Sequence, residues 1–287
     1  MLDIFSYYTI PLDNWIKTAV DWVVSNYRPQ FQIIKWPVEE LLNGINNFLQ
    51  WMPAVFVLLA IFVIAWKVAG WRIGLFSLIS LTFVGYLGLW EVTMTTLAMV
   101  LSAVIFCAVF GIPLGIIAAR SNRFEAFIRP VLDTMQTTPA FVYLVPVVML
   151  FSIGSVAGVI ATIIFSMPPI IRLTNLGIRQ VQPDVVEAAY AFGSTSWQLL
   201  KKVEFPLAMP TIMAGLNQTI MLSLSMVVIA ALIGAGGLGV PVFEGLNSLR
   251  VGLAGIGGIS IVLLAMVLDR ITQALGNPKN GGKKDAV

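Results

Sequence analysis

The stretch Pro183-Asp184-Val185-Val186-Glu187-Ala188-Ala189-Tyr190-Ala191-Phe192-Gly193 forms a polar island between long apolar runs. It continues through Trp197, Lys201 and Lys202 to Val203-Glu204-Phe205-Pro206. Asp184 with Glu187 three residues later predicts a helix start of the capping-box kind. Ala188, Ala189 and Ala191 give that helix a shallow face which another backbone can approach closely. Gly193 suits the left-handed turn that ends a helix. A second amphipathic helix is expected next, with Trp197, Leu200 and Val203 on one side and Pro206 at its exit.

The flanking sequence says where this island sits. Of 287 residues, 58% are hydrophobic and 11% charged, with a mean hydropathy of +0.91. Soluble domains carry about 25% charged residues. Six intervals hold no Asp, Glu, Lys or Arg: 41–66, 73–90, 92–119, 134–171, 205–243 and 251–268. A membrane-spanning helix needs about 20 apolar residues, so the pattern is that of an all-α polytopic membrane protein. The interval 134–171 is too long for one helix and is expected to split at Ser152-Ile153-Gly154-Ser155. The interval 205–243 is expected to break at Gly234, Gly236, Gly237, Gly239 and Pro241 into an irregular external loop. About seven spans result, near 50–67, 73–90, 92–119, 139–152, 156–174, 208–233 and 251–271. No ionisable residue is expected within a span core, which counts against a proton-driven carrier.

Basic residues orient the chain. With the N-terminus outside and the C-terminus inside, thirteen Lys and Arg fall on the inner side and four (Lys17, Arg28, Lys35 and Arg250) on the outer. Cytoplasmic segments carry such an excess. Residues 1–49 are half-polar and aromatic, and the spacing of Ile16, Ala19, Val20 and Val23 predicts an amphipathic helix at the outer interface. Residues 50–90 read as two peripheral spans, 91–272 as the core containing the inner loop 175–207, and 273–287 as a basic tail. No cleavable signal peptide is expected, because Met1 to Phe5 lack a basic region and Asp13, Lys17 and Asp21 interrupt any apolar one.

Composition narrows the chemistry. The chain has no His, and its single Cys107 lies in an apolar run, so a His- or Cys-based metal or catalytic site is not expected. The stretch Asn277 to Lys284 lacks the first Gly and the Ser or Thr of a P-loop. No cofactor is expected on this chain. The net charge of +3 is accounted for by topology-setting loops, with no nucleic-acid partner.

The order Glu187-Ala188-Ala189, Gly193 and Val203-Glu204-Phe205-Pro206 resembles the cytoplasmic signature of ABC importer permeases with the type I fold. Val203 and Phe205 stand where Ile and Leu are usual, both apolar replacements. The likeness covers about 91–272. It implies that Glu187, Ala188, Ala189, Gly193, Val203, Phe205 and Pro206 form coupling helices which dock on a separate ATPase subunit. Local physics alone allows an ordinary amphipathic loop helix here. Asp133 to Leu144, Met167 to Arg172, Asn217 to Ala230 and Gly234 to Gly239 further resemble the glycine betaine/proline betaine group. That resemblance implies two permease copies, two ATPase subunits holding ATP and Mg, a separate extracytoplasmic substrate-binding protein, and the bacterial plasma membrane. Choline, carnitine and trimethylamine N-oxide share the methylated-ammonium chemistry and stay open as substrates. An ATP-independent carrier or channel is the reading from another class.

A quaternary ammonium suits aromatic faces, and its carboxylate wants amide or hydroxyl donors. Phe141, Tyr143, Asn217, Gln218, Thr219, Ser223 and Ser225 are the candidate pathway residues on that chemistry. Interhelical hydrogen bonding explains the small polar residues equally well.

Overall fold

The computed structural model describes residues 11–276, and every regular element among them is helical. The tail lysines Lys279, Lys283 and Lys284 lie outside the described residues. In order, the helices are α1 (Leu12–Trp51), α2 (Ala54–Ala69), α3 (Trp71–Tyr86), α4 (Trp90–Arg120), α5 (Asn122–Thr137) and α6 (Ala140–Phe151). There follow α7 (Ser155–Arg179), α8 (Pro183–Ala191), α9 (Ser196–Leu199), α10 (Phe205–Ala230), α11 (Gly239–Asn247) and α12 (Val251–Gly276).

Each of the seven expected spans contains a helix, but length separates them. Among the described residues, four helical stretches are long and apolar enough to cross a membrane: Trp90–Arg120, Ser155–Arg179, Ser196–Ile233 and Val251–Gly276. Two bent pairs would raise the number to six. Pro29–Trp51 meets α2 at 109°, and α5 meets α6 at 102°. The helices α2 and α3 have 16 residues each and α6 has 12. At 1.5 Å per residue, α6 is only about 18 Å long, short of the roughly 30 Å hydrocarbon layer. An interval free of charge says nothing about breaks inside it, and this is why counting intervals overstated the straight spans.

The break between α6 and α7 falls at the expected place. Ser152 and Gly154 take positive φ angles of 69° and 125°, and the Gly154 N–H donates to the Ile233 carbonyl at 3.0 Å. The break after α10 also falls where the glycines predict it. A single 3-10 turn (Ala231–Ile233) ends at Gly234 with φ 72°. The following segment is more ordered than an irregular loop. The Leu238 N–H donates to Thr96 Oγ1 at 2.7 Å, which satisfies a buried amide, and α11 then packs back on α12. A side chain at Gly245 would run into the Ala254 backbone nitrogen.

The core is built by α4, α7 and α10, and small residues set how closely they approach. A methyl group at Gly111 would stand 2.5 Å from Ile170 Cγ2, and one at Gly115 would stand 2.5 Å from Thr174 Cβ. Such close backbone approach replaces the hydrophobic drive that lipid cannot supply. A hydroxyl chain crosses the same three helices. Ser223 donates to Ser166 Oγ at 2.9 Å, Ser166 donates to the Thr162 carbonyl at 2.6 Å, and Cys107 Sγ lies 3.5 Å from Ser166 Oγ. The first half of α1 is exposed, with Trp15, Ile16 and Trp22 uncovered. Its second half buries Val38 and Leu42 in the core, and Phe31 meets Phe151 edge to face at 5.7 Å.

Candidate coupling and pathway sites

Helix α8 begins with Pro183 at its first position, where a missing N–H costs nothing, and Asp184 lies in its first turn. The expected capping role of Asp184 and Glu187 is not realised: the N-cap is Gln182, with no side-chain cap bond. The charge of Asp184 still favours the positive helix end. None of the residues of α8 is buried, and Phe192 beyond its end is 91% exposed. The helix stops as predicted at Gly193, whose φ is +80°. The Gly193 N–H donates to the Tyr190 carbonyl at 2.9 Å, and the Ser194 N–H donates to the Ala189 carbonyl at 3.0 Å.

A true capping box starts the next helix. Gln198 N–H donates to Thr195 Oγ1 at 3.3 Å, and the Thr195 N–H donates to Gln198 Oε1 at 2.9 Å. The Thr-x-x-Gln spacing carried this signal, and attention to Asp184 and Glu187 passed over it. Replacing such a cap with Ala typically costs about 1 kcal/mol. Thr195→Ala is therefore expected to speed amide hydrogen exchange locally at residues 196–199 while exchange in α7 stays unchanged.

Pro206 does not mark a helix exit. Residues 196–233 are continuous, because Leu200–Glu204 form a π-turn and α10 follows directly with Pro206 in its first turn. The Phe205 N–H reaches back five residues to the Leu200 carbonyl. A wide turn of this kind admits a proline without breaking the helix. Leu199 and Leu200 are buried, Val203 and Phe205 are half-buried, and Trp197 is 69% exposed. The face expected to hold Trp197, Leu200 and Val203 together is thus split between core and surface.

The pathway candidates fall into separate groups. On α10, Thr219 and Ser223 face the bundle interior, and Thr219 Oγ1 is buried without a hydrogen-bond partner. Gln218 and Ser225 lie on the exposed side. Asn217 and Gln218 line a groove with Pro210, Met213, Thr272 and Gln273. Phe141 is exposed at the start of α6. Tyr143 is half-buried, donates its hydroxyl to the Met135 carbonyl at 2.6 Å, and meets Phe165 edge to face at 6.0 Å. Neither aromatic residue lines the Asn217 groove.

An ionisable group near the end of the last span has a partner that the charge map does not show. Asp269 in α12 accepts from Asn217 Nδ2 at 3.0 Å and from Gln273 Nε2 at 2.7 Å. It sits one residue past the charge-free interval 251–268, and only the pairing with α10 reveals its partner.

A helical bundle of this kind, with an uncovered helix in the loop between two long apolar helices, has the architecture of a multi-pass membrane protein. The chain belongs to the family described as binding-protein-dependent transport system inner membrane component, whose model matches residues 111–277. It is 55% identical over 276 residues to the glycine betaine/proline betaine transport system permease protein ProW of Escherichia coli (strain K12), covering 96% of this chain and 78% of that one. It is 46% identical over 264 residues to the glycine betaine transport system permease protein OpuAB of Bacillus subtilis (strain 168), covering 92% and 94%. Among solved structures, the inward-facing MetNI methionine ABC transporter superposes with a TM-score of 0.53 at 23% identity, covering 63% of this chain and 92% of that one. That likeness establishes the type I ABC importer fold. The chain is a multi-pass inner membrane protein and a transport subunit.

Proposed function

We propose that this chain forms the translocation pathway of an ATP-driven importer for glycine betaine/proline betaine-type osmolytes and couples it to separate ATPase subunits. The observation that carries the coupling role is α8. It is a nine-residue helix with no buried residue, bearing Glu187, Ala188 and Ala189 and closed by the left-handed Gly193. A helix that buries nothing in its own chain gains stability from a partner surface. Identity of 55% and 46% to permeases named for glycine betaine supports the substrate class.

The working unit comprises two copies of this chain, two ATPase subunits carrying ATP and Mg, and a separate extracytoplasmic binding protein. The N-terminus lies outside and the C-terminus inside. The gathering of Arg120, Arg179, Glu125 and Glu204 at one end of α4, α7 and α10, beside α8, supports that orientation. Residues 91–272 act as the transport core, 1–49 and 50–90 as its periphery, and 273–287 as a cytoplasmic tail. Phe141, Gln218 and Ser225 keep exposed faces and are the strongest pathway residues. Asn217, Tyr143, Thr219 and Ser223 shape the helices that carry them.

Proteoliposomes containing the chain, its ATPase and its binding protein are expected to accumulate radiolabelled glycine betaine only when ATP is supplied. Omitting the ATPase should abolish uptake. Uptake by the chain alone would instead mark an ATP-independent carrier. Stronger inhibition by choline, carnitine or trimethylamine N-oxide than by unlabelled glycine betaine would reassign the substrate.

A further inference from the structure

Helix α8 buries no residue of its own, and the loop that carries it is held at its two ends. Both ends are tied to one place. At the entry, Arg179 closes α7. Its Nη2 donates to the Ala118 carbonyl of α4 at 2.8 Å and pairs with Glu125 of α5 at 3.1 Å. At the exit, Arg120, the last residue of α4, donates to the Ser196 carbonyl at 3.1 Å and pairs with Glu204 of the π-turn at 2.7 Å. The two guanidinium groups thus fasten the segment 180–195 to the corner between α4 and α5, residues 118–125. Glu204 has a side-chain exposure of only 13% and meets Arg120 at 2.7 Å. In each arginine the same Nη2 serves both acceptors, one backbone carbonyl and one carboxylate.

The corner leads onward. Ser121 caps α5 by accepting from the Phe124 N–H at 3.3 Å, which joins α4 and α5 without slack. At the far end of α5, Tyr143 of α6 donates to the Met135 carbonyl across the bend at Thr138 and Pro139.

We infer that the Arg120–Glu204 and Arg179–Glu125 pairs form a clamp that carries ATPase-driven displacement of α8 into the α4–α5 corner and on to α6. Arg120, Glu204, Arg179 and Glu125 act as positioning residues. This inference rests on the reading of α8 as the ATPase-docking helix.

The test compares wild type, Arg120→Ala, Glu204→Gln, Glu125→Gln and the exchanged pair Arg120→Glu with Glu204→Arg in the reconstituted complex. It reads radiolabelled glycine betaine taken up per ATP hydrolysed, with ATPase retention on the complex measured alongside. The single variants are expected to keep the ATPase and to lower the uptake-to-hydrolysis ratio about fivefold, the smaller end of measured coupling effects. The exchanged pair should recover the part of the Arg120→Ala and Glu204→Gln losses that the ion pair carries, though not the bond to the Ser196 carbonyl, and a merely structural defect would show no such recovery. A ratio at the wild-type value in the single variants overturns the clamp, as does a loss that the exchange fails to recover. Failure of ATP-dependent uptake in the wild type would instead overturn the proposed function.

Discussion

Gly115→Leu is expected to leave little folded protein. The side chain would enter the seam between α4 and α7, where even a methyl group stands 2.5 Å from Thr174 Cβ and 2.8 Å from the Ile171 carbonyl oxygen. A backbone oxygen cannot rotate aside as a side chain can, so the helices must separate. Separation would loosen the neighbouring contact of Gly111 with Ile170 in the same seam. Overpacking a core by less costs about 1–3 kcal/mol, and Gly115→Ala already falls in that class. Melting in detergent by tryptophan fluorescence and size exclusion should show a lowered midpoint for Gly115→Ala and an aggregated profile for Gly115→Leu. Gly44→Ala is the control, because nothing lies within 4 Å of that position and Ala gains about 0.5–1 kcal/mol over Gly in a helix. A folded, monodisperse Gly115→Leu would show that α4 and α7 do not depend on this approach.

The second large effect concerns coupling rather than folding. Gly193 holds φ at +80° in open surroundings, so space does not limit its replacement; conformation does. A residue with a Cβ costs about 1–2 kcal/mol in the left-handed region, more when branched there. Gly193→Val is therefore expected to reduce ATP-driven glycine betaine uptake by roughly tenfold, which corresponds to about 1.4 kcal/mol against the docking-competent turn. Gly193→Asn should retain most of the uptake, because Asn visits this region readily. The amount of chain in the membrane should be unchanged in both, since Gly193 packs against nothing. Equal uptake by wild type and Gly193→Val would remove the turn from the coupling mechanism.

Local signals succeeded where the cause was local. Ser152 to Ser155 and the Gly234 cluster broke the apolar intervals where they were expected to, because positive φ is a property of one or two residues. Gly193 ended α8 for the same reason. Capping was less legible. Asp184 with Glu187 and Thr195 with Gln198 have the same spacing, and only the latter pair bonds. Pro183 already fixes the first turn of α8, so a side-chain cap adds little there. Pro206 misled for a related reason. It falls in the first turn of α10, directly after the π-turn, and the helix runs on through it as it does through Pro210.

The pathway residues show the other limit. Gln218 and Ser225, chosen on their chemistry, both lie on the exposed side of α10. Which face turns outward depends on α7 packing through Gly215, and no spacing within α10 contains that.

Charge distribution along the chain was enough to establish a helical membrane protein, the polar island between its long spans and the glycine breaks. Each of these follows from the solvent preference or backbone freedom of neighbouring residues. The clamp at Arg120 and Arg179, the Asn217–Asp269 pairing and the shortness of α6 emerged only in three dimensions. Arg120 and Glu204 are 84 positions apart, and Asn217 and Asp269 are 52 apart. Such partners are chosen by how closely α4, α7, α10 and α12 approach, and small residues at their crossings set that distance.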